Sequence, residues 1–449
     1  MYTFKKFSKK SNKKILKAQG HYLYLENNKK ILDFTSGWTG FASLGHSHPK
    51  ILYAVKEQMK KYSHVDYNEF KNPLIEKLSK NLNLFSKKNY KIWYSGNSGS
   101  ESVEAAMKLS YQVHCARGNN KKIKYIHRSQ SFHGATFQPL LVSSIDVFDI
   151  YKNLQSKNYI EVPQHNSFAT CYAKKNSCKC GKNPMSCMGK RLGETNEKYL
   201  ERSIYEIEQT IKKNDPNKIC AFIGETQLAP LVGDVPPLKN YWTKVSDICK
   251  KYNIHLILDE VYCGMGRSGK MFNFEWDNCD PDFTCIGKNT TSGVIPFSFV
   301  LSKPKYQDII IKKLGRVSLG HTFQGHSLGA AATIKLLQII KEENLMNRVN
   351  KLGKKLRNII YDELKNHENF KNVRGRGFAY ACEYSFKKNN EFGLYLKKII
   401  LEKKNILLNS KWHRVSFLPS YNTPTKLLYD TTEIFINTFK KLSKNKKFH

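Results

Sequence analysis

Two adjacent carboxylates end an apolar segment in the second half of the chain. The segment is HLILDEVYCG, residues 255–264, and its acids are Asp259 and Glu260. A buried carboxylate needs a cation beside it, because an unpaired charge in a protein interior is costly. Four apolar-leaning residues before Asp-Glu describe the magnesium-binding strand of a phosphate-loop ATPase, but a site for another cation fits the same residues. The remainder of the chain decides between the two.

A phosphate-loop ATPase also needs the pattern G-x-x-x-x-G-K-[ST], in which Lys binds phosphate oxygens and the hydroxyl binds magnesium. Gly-Lys pairs occur five times, and none is followed by Ser or Thr: 181–182, 189–190, 269–270, 287–288 and 353–354. The sequence therefore argues against this class of ATPase.

A different candidate phosphate site lies in SGNSGSESVEAA, residues 95–106. Its Gly and Ser residues fall between a predicted strand and a predicted helix, where free backbone N–H groups and the helix dipole attract an anion. A serine N-cap, with Glu104 near the first turn, explains the same composition without any ligand. The segment gains weight only from its companions.

The companion is Lys288, in PDFTCIGKNTTSGVIP, residues 281–296, which follows a strand-like segment into a turn rich in Gly and Thr. Such a lysine is usually a surface residue. However, a Lys, a phosphate turn and an acid at a strand end are the three anchors of pyridoxal 5′-phosphate: Schiff base, phosphate cradle and pyridinium partner. The cation facing Asp259 would then be the protonated ring nitrogen of this cofactor.

Predicted strands alternate with predicted helices over much of the chain. The strands are residues 91–96, 122–128, 221–226, 255–260, 282–288 and 297–302, and the helices are 100–114, 196–213 and 239–252. This alternation predicts an α/β domain with a largely parallel sheet, whose ligands collect at the carboxyl ends of the strands. After about residue 315 the pattern changes to helices at 328–345, 349–366 and 426–442, with a turn and strand at 372–385. A smaller α+β domain is expected there.

The predicted organisation has three parts. Residues 1–48 form an N-terminal segment that joins the small domain, 49–315 the large cofactor-binding domain, and 316–449 the small C-terminal domain. A cysteine-containing insertion occupies about residues 165–195. It holds Cys171, Cys178, Cys180 and Cys187, whose spacing lacks the close ligand pairs of zinc sites, so an irregular loop is favoured over a metal site.

The chain has 449 residues and a formal net charge of +38. The lysines are spread along the whole length, so we expect a solvated basic surface and no nucleic-acid partner. No segment approaches the roughly 18 apolar residues of a membrane span. The basic N-terminus has no apolar block, which disfavours secretion and favours a cytoplasmic protein, although a mitochondrial presequence stays open.

Five segments, taken in order, carry a resemblance to a known family: ILDFTSGWTGFASLGHSHPKILYAVKEQ (31–58), NSGSESVEAAMKL (97–109), SFHGAT (131–136), LILDEVYCGMGRSG (256–269) and GHTFQGHSLGAAA (320–332). Together they resemble the class III (subgroup II) aminotransferases of fold type I, a group that includes the ornithine, acetylornithine, GABA and ω-amino acid aminotransferases. The interval from Asp259 to Lys288 is the one expected of this group. The resemblance implies a pyridoxal-phosphate enzyme with a mostly parallel sheet flanked by helices and a smaller α+β domain.

The resemblance also implies residue roles. Lys288 would hold the cofactor as a Schiff base and move the proton between substrate and cofactor, while Asp259 would keep the ring nitrogen protonated. Nine further residues would contact the cofactor: Ser98, Gly99 and Ser100 at the phosphate, Phe132 and Val261 on the ring faces, His133, Glu225 and Tyr262 around the ring, and Thr322 from the neighbouring subunit of a homodimer.

Three departures from the family pattern bear on the substrate. Ala135 replaces an Arg that helps to recognise a carboxylate in some members, and in HRVSFLPSY the residue at the usual position of the α-carboxylate Arg is Ser416. Arg414, two residues earlier, is a candidate substrate-pocket residue that could take the place of this arginine, but its side chain is then expected to point to the opposite face of the strand. Tyr262 replaces a residue, often Gln, that touches the phenolic oxygen of the cofactor.

These departures favour an ω-amine, a β-amino or a sulfonate-bearing donor. Trp38 and Phe41 could line the donor pocket or simply belong to the core. The leading interpretation is a ping-pong transaminase that moves an amino group from an amine donor to a 2-oxo acid. A same-fold enzyme with another outcome (aminomutase, racemase or decarboxylase) and a non-catalytic basic binding protein remain as alternatives.

Overall fold

The computed structural model describes residues 14–67, 69–86, 89–144, 150–151, 153–171, 189–229 and 232–448. In chain order its strands are β1 (Ile15–Gln19), β2 (Tyr22–Leu25), β3 (Lys30–Asp33), β4 (Lys91–Gly96), β5 (Lys124–Arg128), β6 (Tyr159–Val162), β7 (Thr170–Cys171), β8 (Lys190–Arg191), β9 (Ile219–Glu225), β10 (His255–Asp259), β11 (Phe283–Ile286), β12 (Ser298–Ser302), β13 (Phe370–Arg376), β14 (Ala379–Tyr384), β15 (Ile406–Leu407), β16 (Asn409–Lys411) and β17 (Arg414–Phe417).

The α-helices are α1 (Pro49–Met59), α2 (Pro73–Ser86), α3 (Gly99–Ala116), α4 (Phe137–Leu141), α5 (Asn196–Lys213), α6 (Tyr241–Lys251), α7 (Pro304–Leu314), α8 (Ser327–Glu342), α9 (Leu345–Leu364), α10 (Asn389–Lys404) and α11 (Thr425–Ser443). All of the helices and strands predicted from periodicity are present, with ends shifted by a few residues. The segment predicted as a turn and one strand at 372–385 is instead two antiparallel strands, β13 and β14.

A seven-stranded sheet in the order β4-β12-β11-β10-β9-β5-β6 forms the centre of the molecule. Strands β6, β5, β9, β10 and β11 are parallel, whereas β12 is antiparallel to both of its neighbours. The prediction of a largely parallel α/β sheet is therefore confirmed. Every residue of β9, β10, β11 and β12 is buried, which accounts for their nearly continuous apolar sequences, since both sheet faces are covered.

The sheet register brings the ends of three strands together. Asp259 at the end of β10 is paired with Glu225 on β9 and with Cys285 on β11. Because parallel strands all end at one edge of the sheet, the acids and the loop that follows β11 share that edge.

Two smaller sheets contain the N-terminal and C-terminal strands. One has the order β1-β2-β3-β15, so that the N-terminal hairpin pairs with a strand close to residue 406, and the other has the order β13-β14-β17-β16. Strand β15 pairs with β3 in parallel, through Ile406 with Leu32 and Leu407 with Asp33. Within the described ranges, no helix is both long and apolar enough to cross a membrane.

Two stacked histidines are buried where α3 packs on the sheet. The rings of His114 and His255 lie 4.1 Å apart between centroids. His114 Nε2 donates to the Cys220 carbonyl at 3.0 Å, and His255 Nδ1 lies 2.9 Å from Ser110 Oγ. Burial lowers the pKa of both imidazoles to about 3, and the neighbouring His255 lowers that of His114 further. Both rings are therefore neutral in the folded chain at neutral pH.

These histidines predict a loss of stability in mild acid. The unfolded chain takes up their protons near pH 6.5, whereas the folded chain resists protonation down to about pH 3. Above pH 6.5 the histidines are neutral in both the folded and the unfolded chain, so they do not change the free energy of unfolding. At pH values below 6.5 the free energy of unfolding decreases by on the order of 1 kcal/mol per pH unit for each histidine. Urea unfolding at pH 7 and pH 5 measures this loss. His114→Gln, whose amide can still donate to the Cys220 carbonyl, should lose less between these pH values, and an equal loss would contradict the prediction.

Candidate active site

Asp259 is the acid that the sheet presents most directly at its carboxyl edge. Its side chain is buried, and Oδ1 accepts the backbone N–H of Val261 at 3.0 Å. Oδ2 lies 2.9 Å from Nδ1 of His133, which is buried as well. Both oxygens of the carboxylate are therefore held by hydrogen bonds. One of the donors belongs to Val261, the residue predicted to pack on the cofactor ring.

Glu260 has a different role from its neighbour. Its carboxylate oxygens accept the backbone N–H groups of Asn273 and Phe274, each at 2.9 Å. Burial raises the pKa of Glu260 to about 8. Of the two acids that end the apolar segment, Glu260 thus anchors the first residues of a short 3-10 helix, Asn273–Asp277, and Asp259 is the one that remains for the site.

Glu225 is the second buried acid at this edge. Its Oε1 accepts the backbone N–H of Phe132 at 3.1 Å, while Oε2 is buried and has no hydrogen-bond partner within the described ranges. Burial raises the pKa of Glu225, and the nearby Asp259 raises it further. A buried, unsatisfied carboxylate oxygen is costly unless a ligand completes its hydrogen bonding.

Lys288 follows β11 into the same region. Its backbone is in the left-handed region, with φ of 44°, a conformation that is rare for a residue with a Cβ and is concentrated at functional sites. Burial lowers the pKa of the Lys288 ammonium, and the carboxylates of Asp259 and Glu225 partly offset this effect. Its Nζ lies 5.6 Å from the centroid of the Tyr262 ring. The chain thus brings a lysine of lowered pKa to the two acids.

The predicted phosphate turn lies at the start of α3. Ser98 is the N-cap, and its side chain accepts the Glu101 N–H at 3.3 Å. Ser100 Oγ accepts the Ala135 N–H at 3.0 Å, which ties the turn to the segment that carries Phe132 and His133. The serine cap weighed from the sequence is present, and it leaves the amides of Gly99 and Ser100 at the first turn of the helix.

A close approach of backbone explains the glycine at the start of α3. A Cβ on Gly99 would lie 2.5 Å from Val261 Cγ1, and a Cβ on Gly287 would lie 3.2 Å from the Gly99 Cα. Both distances are too short for an unshifted side chain. Two glycines therefore let the helix start, the Val261 side chain and the turn before Lys288 pack together.

Three further residues named from the sequence have the following surroundings within one chain. Thr322 is exposed, and its carbonyl accepts from His64 Nε2 at 2.6 Å. Trp38 is 57% exposed, and Lys411 Nζ lies 5.7 Å from its ring centroid. Phe41 fills the space beside Gly37 and Gly293, where an added Cβ would come within 2.1 and 2.5 Å of its ring.

The face assigned to Arg414 from the sequence was wrong. Side chains alternate along a strand with a period of two, so residues 414 and 416 of β17 share a face. Both contribute to the surroundings of one buried acid, Asp234: Ser416 Oγ donates to it at 2.6 Å, and Arg414 interacts with it electrostatically. Sequence reasoning did not find Asp234, because a lone acid in a loop carries no motif.

The family profile described as "Aminotransferase class-III" matches residues 6–439. The chain is a class-III aminotransferase. It is 30% identical over 381 residues to "Gamma aminobutyrate transaminase 3, chloroplastic" of Solanum lycopersicum, covering 84% of this chain and 69% of that protein. It is also 30% identical over 377 residues to "Vanillin aminotransferase" of Capsicum chinense, covering 82% and 77%.

Solved structures show that the aminotransferase has the fold of the ω-transaminases. An omega transaminase from Pseudomonas jessenii in complex with PMP has a TM-score of 0.85 at 23% identity, and the match covers 96% of this chain and 92% of that one. A six-fold mutant of the thermostable enzyme gives a TM-score of 0.84 at 24% identity, covering 95% and 92%. The predicted fold type I is therefore confirmed, and the enzyme is a pyridoxal-phosphate-dependent aminotransferase.

The residues of this site fit that cofactor. The Oε2 of Glu225 needs a partner, and the start of α3, which Ser98 caps, offers the backbone amides of Gly99 and Ser100. Within the described ranges, no group of three or more His, Cys, Asp or Glu residues could hold a metal ion. Cys178, Cys180 and Cys187 lie outside the described residues, and of Cys171 only the backbone is described.

Proposed function

We propose that this aminotransferase takes its amino group from an amine or ω-amino donor and transfers it to a 2-oxo acid by a ping-pong mechanism. The observation that carries the assignment of the site is the meeting of Lys288 with Asp259 and Glu225 at the carboxyl edge of the sheet. Pyridoxal phosphate, when bound, supplies an electron-withdrawing ring that makes loss of a proton from the donor carbon feasible. The chain supplies the groups that hold this ring and move the proton.

Asp259 and Lys288 have complementary proposed roles. The Asp259 carboxylate, fixed by His133 and by the Val261 amide, holds a proton on the ring nitrogen of the cofactor. An opposite charge at contact distance favours such a protonated group by roughly 1 to 4 kcal/mol, depending on the effective dielectric. Lys288 attaches the cofactor and carries the proton on Nζ. Its lowered pKa increases the neutral fraction, which is the form that can accept this proton.

The remaining cofactor contacts belong to the same proposal, and the positions described above support it. The amides of Gly99 and Ser100, in the first turn of the helix that Ser98 caps, would bind the phosphate. Val261 and Phe132 would cover the two ring faces, and Glu225 would supply its unsatisfied oxygen to the polar edge of the ring. Tyr262 presents its ring rather than its hydroxyl, because the hydroxyl donates to Asp234 at 2.5 Å.

The donor class is proposed from the surroundings of residue 416. Ser416 replaces the arginine with which the family binds an α-carboxylate, and the Ser416 hydroxyl donates a hydrogen bond to Asp234. The Arg414 guanidinium interacts electrostatically with Arg374 and with two acids, Asp234 and Glu383. These two acids already balance its positive charge. A donor without an α-carboxylate needs no further cation here. The name of one relative, a gamma aminobutyrate transaminase, agrees with this donor class, because γ-aminobutyrate is an ω-amino acid.

We also propose a cytoplasmic homodimer in which Thr322 reaches the phosphate of the neighbouring subunit. In the single chain Thr322 is exposed, and the adjacent Phe323 is 51% exposed. An exposed aromatic residue beside Thr322 supports contact with a second subunit at this surface. The division into residues 1–48, 49–315 and 316–449 belongs to the same proposal. It is supported by the pairing of β3 with β15.

The experiment that tests the donor class uses the purified protein with bound cofactor and no acceptor. A primary ω-amino acid, a simple primary amine and an α-amino acid are added separately, and conversion to the aminated cofactor is followed by visible absorption. We expect the first two donors to convert the cofactor at least about tenfold faster than the α-amino acid. This ratio corresponds to a difference in activation free energy of ~1.4 kcal/mol. A faster reaction with the α-amino acid would contradict the donor class, and release of no carbonyl product from any donor would contradict transamination.

A further inference from the structure

A buried carboxylate joins two of the residues at which this chain departs from its family. Asp234 lies in the loop after β9, with its side chain fully buried and its backbone in the left-handed region at φ of 55°. Its Oδ1 accepts the Tyr262 hydroxyl at 2.5 Å, and its Oδ2 accepts the Ser416 hydroxyl at 2.6 Å. One acid thus binds a residue that follows β10 and a residue of β17, which lie far apart in the sequence.

The surroundings of Asp234 hold this carboxylate in place. Burial raises its pKa, and the two hydroxyl donors together with Arg374 and Arg414 oppose that rise. Arg374 Nε donates to the Gly233 carbonyl at 2.9 Å, and Arg374 also forms an ion pair with Glu383. The loop, its acid and both guanidinium groups therefore form one connected network, and hydrogen bonds to charged groups are among the stronger ones in proteins.

Tyr262 connects this network to the active site. The ring is buried, with 6% of the residue exposed, and its centroid lies 5.6 Å from Lys288 Nζ. This distance is within the range of a cation–π interaction. Since the hydroxyl at one end of the ring is held by Asp234, the position of the ring relative to Lys288 depends on that hydrogen bond.

We infer that Asp234 is a positioning residue that holds the Tyr262 ring against Lys288, with Ser416 fixing the second oxygen of the carboxylate. The inference rests on the proposed role of Lys288. Asp234 binds the tyrosine hydroxyl and acts on the lysine through the tyrosine. Cutting either end of the Tyr262–Asp234 hydrogen bond should therefore have the same effect at Lys288.

The first test measures Lys288 in the full-length chain after removal of the cofactor. Trace acetylation with acetic anhydride over a range of pH, read by mass spectrometry of the peptide that contains Lys288, reports the pH at which its amine becomes neutral. The carboxylates of Asp259 and Glu225 and the thiol of Cys263 also act on this amine and are unchanged in all variants. Tyr262→Phe and Asp234→Asn should each shift the midpoint to lower pH by about half a unit, because the amine loses the fixed ring.

The double variant separates positioning from a direct effect of charge. If Asp234 acts through the tyrosine hydroxyl, adding Asp234→Asn to Tyr262→Phe produces no further shift. A shift in Asp234→Asn that Tyr262→Phe does not reproduce, or one that the double variant adds to, would show that Asp234 acts by its charge and would overturn the inference. Unchanged midpoints in all variants would overturn it too.

A second measurement uses the protein with bound cofactor. The kcat/KM for an amine donor should fall about tenfold in each single variant and no further in the double variant. A lysine that is no longer held in position transfers the proton less efficiently, even though a larger fraction of it is neutral. Tyr421→Phe is the matched control: its buried hydroxyl donates to the Met265 carbonyl at 3.0 Å, and its removal should leave both readouts unchanged.

Two outcomes are kept apart by design. If borohydride reduction does not fix the cofactor to Lys288, the proposed function fails. If the cofactor is fixed there and the midpoints do not move, only the inference fails. If Asp234→Asn does not fold, as judged by circular dichroism, Tyr262→Phe and Ser416→Ala are measured in its place. Ser416→Ala, which keeps the tyrosine bond, should then give a smaller shift in the same direction, and a wild-type midpoint in Tyr262→Phe would overturn the inference.

Discussion

Replacing Lys288 with Ala should lower turnover by about 10³-fold or more and abolish the covalent attachment of the cofactor. A positioned acid–base group contributes typically 10² to 10⁴ to a rate, and the attachment of the cofactor is lost in addition. The structure gives Lys288 the properties that this role needs: its pKa is lowered by burial, and two carboxylates share its edge of the sheet. Turnover with an amine donor, and borohydride reduction followed by peptide mapping, measure the two effects.

Lys270→Ala is the matched control for this variant. Lys270 is an exposed lysine in the loop after β10, and its Nζ lies 5.4 Å from the Trp276 ring. It should keep wild-type turnover and wild-type labelling by borohydride. Normal turnover in Lys288→Ala would end the assignment of this lysine, and labelling that persists in that variant would place the cofactor on another lysine.

Much of the central sheet could be predicted because its signals are local. Strand β4 and helix α5 have the predicted ends, and β10 ends one residue before the predicted boundary. Buried parallel strands give apolar runs, and the helices between them give amphipathic periods, so both are readable without knowledge of their partners. The same holds for the edge at which Asp259 lies, since parallel strands must end together.

The relations between distant segments were not predictable in the same way. The antiparallel direction of β12 and the pairing of β3 with β15 depend on how the chain returns after long connections. Asp234 is a stronger example, because its partners Tyr262 and Ser416 come from two other parts of the chain. The error at Arg414 was of another kind: the period of a strand places it on the face of Ser416, and that rule was misapplied.

Asp259→Asn tests the electrostatic part of the site and should keep the cofactor while slowing the reaction by about 10²- to 10³-fold. Asparagine has nearly the same size, and its oxygen can still accept from the Val261 amide or from His133. What is lost is the negative charge that, in the role proposed above, keeps the ring nitrogen of the cofactor protonated. Removal of one preorganised polar group from an active site typically costs 10² to 10³ in rate. Visible absorption measures cofactor retention, and single-turnover kinetics measures proton loss from the donor.

Asp282→Asn gives the comparison that makes this result specific. Asp282 accepts a backbone N–H of the same strand, that of Leu256, at 2.8 Å, but at the opposite end of β10 from Asp259. Both substitutions remove one charge from an acid that is hydrogen-bonded to the chain, so both can cost stability. Only Asp259→Asn should change the rate of proton loss, because Asp259, unlike Asp282, lies at the edge of the sheet that Lys288 shares. An unchanged rate in Asp259→Asn, or an equal decrease in both variants, would mean that its charge does not act on the reaction and that Asp259 serves only to hold the loop after β10.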